Sequence, residues 1–567
     1  MAMGQPSNAR LTPELAIGVC ERTGSAALLE GSIASLGTQY VLGLRAKRCD
    51  TGEILDDEQA QATRKEDVLN ALSEIASKFR SRVGESLATI EKHSTPLPEA
   101  TTLSVEALKA YATAMKVNDS AGPPAAIPLF KRATEIDPNF AVAYAFLGIS
   151  YSAAAEPDRS MESTTKAYQL RNRASDREKF LIDLAYHRTV TGNLEKARQT
   201  CELWVQTYPR DVMPRSFLGG SLNATFGRFE TAAEEAGKAM LLDPDSSFPY
   251  FNLAASAIYR GRLDEARSTL QKASERKINI PELLYARFQI AFLESDRAEM
   301  AALAGRAREQ FGVQDWIGAW MTDQEGAVFA YSGHLQQARK QSRQAVQMAQ
   351  QAGHRDGAAE HQAAAAVREA LFGYATEARQ NAASVLDLSR GKTAQYGAAV
   401  ALALAGDVSR TKTLADDLSA RFPEDTLVTI SYLPVLRALL ALNRAEPAKV
   451  IDALEVAAPY ELGDHSGASV GFNGPLYPVY VRGLAYLAAH QGADAAREFE
   501  KILTHRGIVV TDPIGALARL QLGRAFVIAG DTASAKTAYA DFLKLWKDAD
   551  PDIPIFKEAR AEFARLP

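Results

Sequence analysis

Cysteine is scarce: three residues in 567, Cys20, Cys49 and Cys201, with no C-x-x-C spacing. That excludes a zinc ribbon, a thioredoxin-type redox motif and a disulfide-dense scaffold. No apolar run approaches the roughly 18 residues that a bilayer-spanning helix needs. The opening residues, MAMGQPSNARLTPEL, lack the apolar stretch of a secretory leader. The expectation is a soluble chain without a membrane span of its own, cytoplasmic by default. One-signed charge is missing as well. The 64 Lys and Arg are scattered among 69 Asp and Glu for a net charge of −5, so no basic patch marks a nucleic-acid surface. The charges read as solvated helix faces.

Intact catalytic constellations are also missing. Gly467-Ala468-Ser469-Val470-Gly471 fits G-x-S-x-G, but the nucleophile elbow needs a strand before it and a helix after it. Here a polar loop precedes and Phe-Asn-Gly-Pro follows. His354-Arg355-Asp356 mimics the kinase catalytic triplet, yet the metal-holding Asn five residues on is His361, and no Asp-Phe-Gly follows. Gly391-Lys392-Thr393 resembles the end of a phosphate-binding loop, but the required earlier glycine is Leu386. Eight histidines include no H-E-x-x-H, and His354 and His361 stand two helical turns apart. The expectation is no enzyme, no catalytic residue, no metal and no cofactor.

What is present falls into two regions. Over 1–92 the order α-β-β-β-α is expected. Thr12 and Pro13 open a short helix ending at Gly24. Strands follow in ALLEGSIASLG, TQYVLGLRAKRCD and ILDDEQAQATR, and a helix carries Val68, Leu69, Leu72, Ile75, Phe79, Val83, Leu87 and Ile90 on one face. Three strands leave an open edge, and the segment reads as the latter part of an α/β domain whose beginning is absent. HSTPLPEATT (93–102) reads as a linker.

From 103 to 552 helical patterns alternate with short breaks, and one phrase recurs: GNLEKARQTC at 192, GRFETAAEEA at 227, GRLDEARSTL at 261 and GDTASAKTAY at 530. Gly192, Gly227 and Gly261 stand 35 and 34 residues apart, and Ala197, Ala232 and Ala266 keep step. A period of this size means stacked supersecondary units. After each turn, positions i, i+4 and i+7 share a face, as in Ala126/Phe130/Ala133, Ala495/Phe499/Ile502 and Ala535/Tyr539/Phe542. The preceding helix supplies Tyr144, Leu147, Gly148 and Tyr151, and Asp-Pro at 137–138 and 243–244 ends the second helix.

These residues resemble the tetratricopeptide repeat (TPR) over roughly 104–279 and 475–545, with alanine-rich, weaker matches at 281–460. About twelve helix pairs are expected, closed by a capping helix within 553–567. The stretch TGSAALLEGSIASLGTQYVLGLRAKRCDTGEILDDEQ is similar to the TolB-like α/β domain that precedes TPR arrays in bacterial signalling proteins. GLAYLAAHQGADAAREFEKILTHRG and LWKDADPDIP resemble the C-terminal part of bacterial eukaryotic-like serine/threonine kinases of the TPR-bearing type. That resemblance implies a protein-interaction scaffold or, alternatively, the sensory segment of a membrane-bound kinase whose kinase domain and span are absent from this chain.

In TPR proteins the inner face comes from first-helix positions 2, 5, 9 and 12. Here these give Phe248, Phe251, Ala255 and Ile258, then Tyr477, Tyr480, Leu484, Leu487, Leu520 and Arg524. They form a candidate apolar and aromatic groove for a protein or peptide; packing between repeats is the competing reading. Cys20 and Cys49 lie where a helix over a strand could join their sulfurs, and two buried thiols are the alternative.

Overall fold

Alternation in the first strands sets one apolar face. In the computed structural model, which describes residues 12–22, 25, 27–37, 39–82, 101–154, 156–311, 316–465, 471–472 and 474–566, β1 (Ala27–Leu36), β2 (Gln39–Arg48) and β3 (Ile54–Ala62) form an antiparallel sheet in chain order. Helix α1 (Pro13–Arg22) precedes it, with Thr12 Oγ1 accepting from the Leu15 N–H at 3.4 Å. Helix α2 (Val68–Arg82) lays Val68, Ala71 and Ile75 on Leu42 and Ala62. The expected continuation of that helical face at Val83, Leu87 and Ile90, and most of the 93–102 segment, lie outside the described residues. Leu29 and Ile33 pair with Ala46 and Leu42 and so share the helix-covered face, yet remain 55% and 60% exposed. Helix α2 therefore covers β2 and β3 and leaves β1 an uncovered edge strand.

Cys20 in α1 and Cys49 just after β2 are joined as a disulfide, their Cα atoms 5.5 Å apart, within the range a disulfide needs. Closing a loop of 29 residues restricts the unfolded chain. Cys20→Ser is expected to cost the N-terminal region roughly 3 kcal/mol, read as earlier loss of sheet signal on denaturation. Unchanged stability together with free thiols by mass spectrometry would remove the bond.

Contacts divide the chain into two compact units, Met1–Ala154 with Asp158–Val190, and Ala155–Pro157 with Thr191–Pro567. In the first, the helices Val105–Ala121 and Pro123–Ile136 bury Ala126, Phe130 and Ala133 completely. Gly148 in the next helix, Ala141–Ala153, lets the carbonyl of Ser160 and the side chain of Thr164 approach its Cα. Ser175 and Glu178 form a reciprocal capping box at the head of Asp176–Thr189.

The second unit answers why the glycine phrase recurs. Each such glycine has positive φ, between 65° and 79° at Gly192, Gly227, Gly261, Gly333 and Gly530. After Gly227, Gly261, Gly333 and Gly530 the next residue donates back to the carbonyl five residues earlier: Arg228 to Asn223 at 3.0 Å, Arg262 to Ala257 at 2.8 Å, His334 to Phe329 at 2.9 Å, Asp531 to Phe526 at 2.9 Å. This is the Schellman ending of a first helix, which satisfies carbonyls that the helix leaves open. After Gly192 the Asn193 N–H donates instead to Thr191 Oγ1 at 3.2 Å. The second helix then presents its small residue inward: Ala197, Ala232, Ala266, Ala378, Ala495 and Ala535 are fully buried. By chain order the described helices from Val105 to Leu545, leaving aside the four-residue helix Arg506–Val509, number twenty-four, enough for twelve pairs, and Pro554–Ala564 follows them. The fold is mostly α, a TPR-like helical array preceded by a small α/β segment.

Two first helices depart from regularity: a π-turn at Val428–Tyr432 leads into Leu433–Leu442, and a second carries non-helical backbone. Val212–Phe217 continues into a π-turn, Leu218–Leu222, with Gly220 at φ −110°, ψ −129°. The freed carbonyls are accounted for: Asn223 donates to Leu218 O at 2.7 Å and Asn252 to Ser216 O at 2.9 Å.

Candidate functional site at the seam of the array

Within the second unit, hydrogen bonds join residues about two hundred positions apart. The turns that end first helices meet the segments that lead into first helices much later in the chain. The Thr426 N–H donates to Gly192 O at 3.0 Å, the Asp464 N–H to Ala224 O at 2.8 Å and the Asp550 N–H to Gly333 O at 3.0 Å. Trp546 Nε1 donates to Tyr331 O at 3.0 Å. The glycines serve here a second time. A Cβ on Gly192 would collide with Asp425, and one on Gly333 with Trp546 and Ala549. Two seam side chains cap helices across the join. Thr426 Oγ1 accepts from the Leu194 N–H at 2.9 Å, and Asp550 Oδ2 from the Gln336 N–H at 2.7 Å. The helix Leu335–Gln351 has no side-chain cap of its own, since His334 stands at its N-cap.

A buried polar cluster lies among the first helices. Arg368 Nη2 donates to Asp323 Oδ1 at 2.5 Å, and His361 Nδ1 lies 3.5 Å from Asp323 Oδ2; all three side chains are buried. Burial alone would raise the Asp323 carboxyl, but the Arg368 guanidinium and His361 outweigh it and hold it below the ordinary carboxylate range. Asp512, in the connection between the helices Gly492–Thr504 and Ile514–Ala529, is pushed up to about 7 by desolvation. Its neighbour Thr511 donates to Gln324 Oε1 at 3.0 Å.

The sequence-derived groove residues separate in the structure. Phe248 is 49% exposed and Phe251 partly buried. Ile258, Tyr477, Tyr480 and Leu520 are buried, and Ala255 nearly so. Tyr477 meets Phe472 edge-on at 5.0 Å, and Tyr480 meets Phe499 at 5.9 Å. Leu484 and Leu487 pack at the margin of the same core. Arg524 makes a two-pronged ion pair with Glu562, at 2.9 and 2.8 Å, and so fastens the terminal helix Pro554–Ala564. These side chains are engaged by the chain itself, with Phe248 the most open.

The motif-like strings take ordinary structural places. His354 stands at the N-cap position of Arg355–Leu371, and Asp356 accepts from the Ser389 hydroxyl. Lys392 pairs with Asp425 at the start of Lys392–Leu404. Ser469 lies outside the described residues. Among the described residues no group of three His, Cys, Asp or Glu could hold a metal, and no helix is long and apolar enough to cross a membrane.

What sequence reading did not find is a cleft of about 510 Å3 on the seam. Two of the repeated phrases line it, with Gly227, Phe229 and Glu230 from one and Arg260 to Leu263 from the other, together with Leu462 and the segment Thr504–Ile508. Gly507 lets that segment lie against the Ile258 carbonyl. Tyr259 donates to Asp464 Oδ2 at 2.9 Å at its edge, and Arg506 donates to Leu293 O at 3.2 Å. The one signal in the sequence is the length of the connection at 505–513, longer than most others leading into a first helix.

No family model matches the chain, and no curated protein matches it. Among solved structures it is similar to the P58(IPK) TPR domain (13% identity over 82% of this chain and 98% of that one, TM-score 0.20). It is also similar to a chain of the APC/C hetero-tetramer Cut9-Hcn1 (12%, 82% and 99%, TM-score 0.30). A third is a chain of Naa15/Naa10 bound to HypK-THB (12%, 81% and 65%, TM-score 0.20). At these identities and scores the helical hairpins described above, not the similarities, carry the assignment of the fold.

Proposed function

We propose that this chain is a non-enzymatic scaffold that holds a protein or peptide partner on its helical array. The observation that carries the reading is the array itself. Within the second unit helical hairpins follow one another from Val212 to Leu545, and stacked repeats of this kind present continuous surfaces suited to extended partners. The motif-like residues His354, Asp356 and Lys392 are engaged in helix starts and ion pairs, which supports a role without catalysis. Phe248, with the exposed Leu241 and Leu242 just before it, is the part of the expected aromatic surface that a partner can reach. No observation favours the kinase-segment alternative.

The full chain used as bait, followed by titration with the purified captured protein, is expected to give saturable binding that Phe248→Asp weakens without lowering the thermal midpoint. Absence of any saturable protein or peptide partner would overturn the reading.

A further inference from the structure

We infer that the seam cleft binds a carboxylate-rich peptide segment, one in which Glu or Asp alternates with apolar side chains. The inference deepens the scaffold reading and rests on it.

The chain itself shows which chemistry belongs at this seam. Where the helices Leu194–Thr207 and Leu335–Gln351 begin, a side chain from the facing segment supplies an oxygen to the first turn, Thr426 in one case and the Asp550 carboxylate in the other. The helices Phe229–Leu242 and Leu263–Glu275 begin in the same way at the wall of the cleft. Their N-cap residues are Arg228 and Arg262, and neither gives a side-chain cap. Among the described residues no side chain reaches across to accept from these first turns. The join opens into the cleft instead.

What faces the opening is donor-rich. Arg262 is 57% exposed, its nearest carboxylate Glu265 at 3.6 Å. Arg506, from the segment Thr504–Ile508, is exposed and gives one donor to the Leu293 carbonyl. Arg262 and Arg506 come from the two chain segments that line the cleft, beside two helix starts without a side-chain cap whose first turns carry Glu230, Asp264 and Glu265, and they offer donors to carboxylate oxygens from outside. Arg260 is already engaged by Ser256 O and Glu265, and Glu230 sets a limit on how much negative charge fits. Phe229, Leu293 and Ile508 add apolar lining, which a peptide with interleaved apolar residues would cover and a small inorganic anion would not. The volume is within the range that takes a few residues of peptide.

The test uses the full chain and a fluorescein-labelled peptide of sequence Glu-Leu-Glu-Phe-Glu-Leu, followed by anisotropy. Its isostere with Gln at every Glu is the control. The acidic peptide is expected to bind at least about tenfold more tightly than the Gln peptide, and to weaken as salt rises. Arg262→Glu and, separately, Arg506→Gln are expected to reduce binding while Arg497→Glu, on an exposed second-helix face, leaves it unchanged. Helical circular dichroism of Arg262→Glu should match the parent, since its side chain makes no buried contact; Arg506→Gln is the second probe should the first fail to fold. Equal binding of both peptides, or equal loss in Arg262→Glu and Arg497→Glu, would overturn the inference. Complete displacement by millimolar phosphate would also overturn it, assigning the cleft to small anions. If the purified partner binds Arg262→Glu as tightly as the parent and the acidic and Gln peptides bind alike, this inference falls and the scaffold reading stands; if neither a captured protein nor either peptide binds saturably, both fall.

Discussion

Gly507→Ala is expected to cost the second unit more than about 3 kcal/mol, beyond the usual range for adding one methyl group to a packed interior. Gly507 is buried in the short helix Arg506–Val509, and the space a Cβ would occupy is taken by the carbonyl of Ile258 and the backbone of Tyr259. Both colliding partners are main chain, so no rotamer change relieves the overlap. The segment would have to lift away, uncovering Ile508, Val509 and Val510, which are all buried, and parting the Arg506–Leu293 bond. Gly261→Ala is the matched control. Gly261 has φ +70° and nothing within reach of a Cβ, so its loss is only the left-handed backbone term of about 1–2 kcal/mol. Urea denaturation of the three proteins side by side measures the difference. Equal losses for the two variants would mean that the seam does not hold the array together.

The contrast between those two glycines shows what sequence could and could not convey. The turn at Gly261 was readable because it is local: positive φ, then an alanine facing inward five residues on, repeated at a fixed period. The same turn recurs at Ser295, Ala445 and His490, which take φ of 64°, 56° and 56° without being glycine. Asp296, Glu446 and Gln491 complete the bond back to Ala291, Ala441 and Tyr486. The first two fall where the repeat pattern is weak, because the glycine that marks the turn elsewhere is missing while its geometry is kept. The seam left no trace beyond the long connection at 505–513. Its pairs, such as Gly192 with Asp425 or Gly333 with Trp546, are fixed by how many repeats complete one circuit, and no local pattern encodes that number. The same wrapping explains Ile258, which holds an expected first-helix position but is covered by the much later segment at Gly507. Tyr477 and Tyr480 are buried more locally, against Phe472 in the connection just before their helix and Phe499 in the helix just after it.

Asp512→Asn is expected to stabilise the second unit by up to about 4 kcal/mol at pH 8, and to change it little at pH 4. Asp512 retains a little accessible area, but protein surrounds its carboxyl. Facing it are Arg368 from one first helix and Tyr396, Tyr477 and Tyr480 from two others. Desolvation outweighs the Ile514 N–H, the Arg368 guanidinium and the Tyr477 hydroxyl, which all favour the carboxylate, and the group is pushed up to about 7 from an ordinary 3.8. Below the ordinary value both folded and unfolded chains carry the proton and the site is neutral in its effect. As pH rises toward 7 the unfolded chain gives up its proton while the folded one keeps it, so stability falls across that interval. Above 7 both are ionised and the full cost of a buried charge is present. Asn cannot ionise, and its side-chain oxygen can still accept from the Ile514 N–H, which Asp512 holds at 3.0 Å. The cap is thus kept and only the charge removed. Denaturation midpoints of parent and variant at pH 4, 6 and 8 should diverge in that order. A variant that gains equally at all three values would show that Asp512 acts through shape rather than charge. A variant that loses at pH 8 would show that the Arg368 field, not desolvation, governs the connection that carries it.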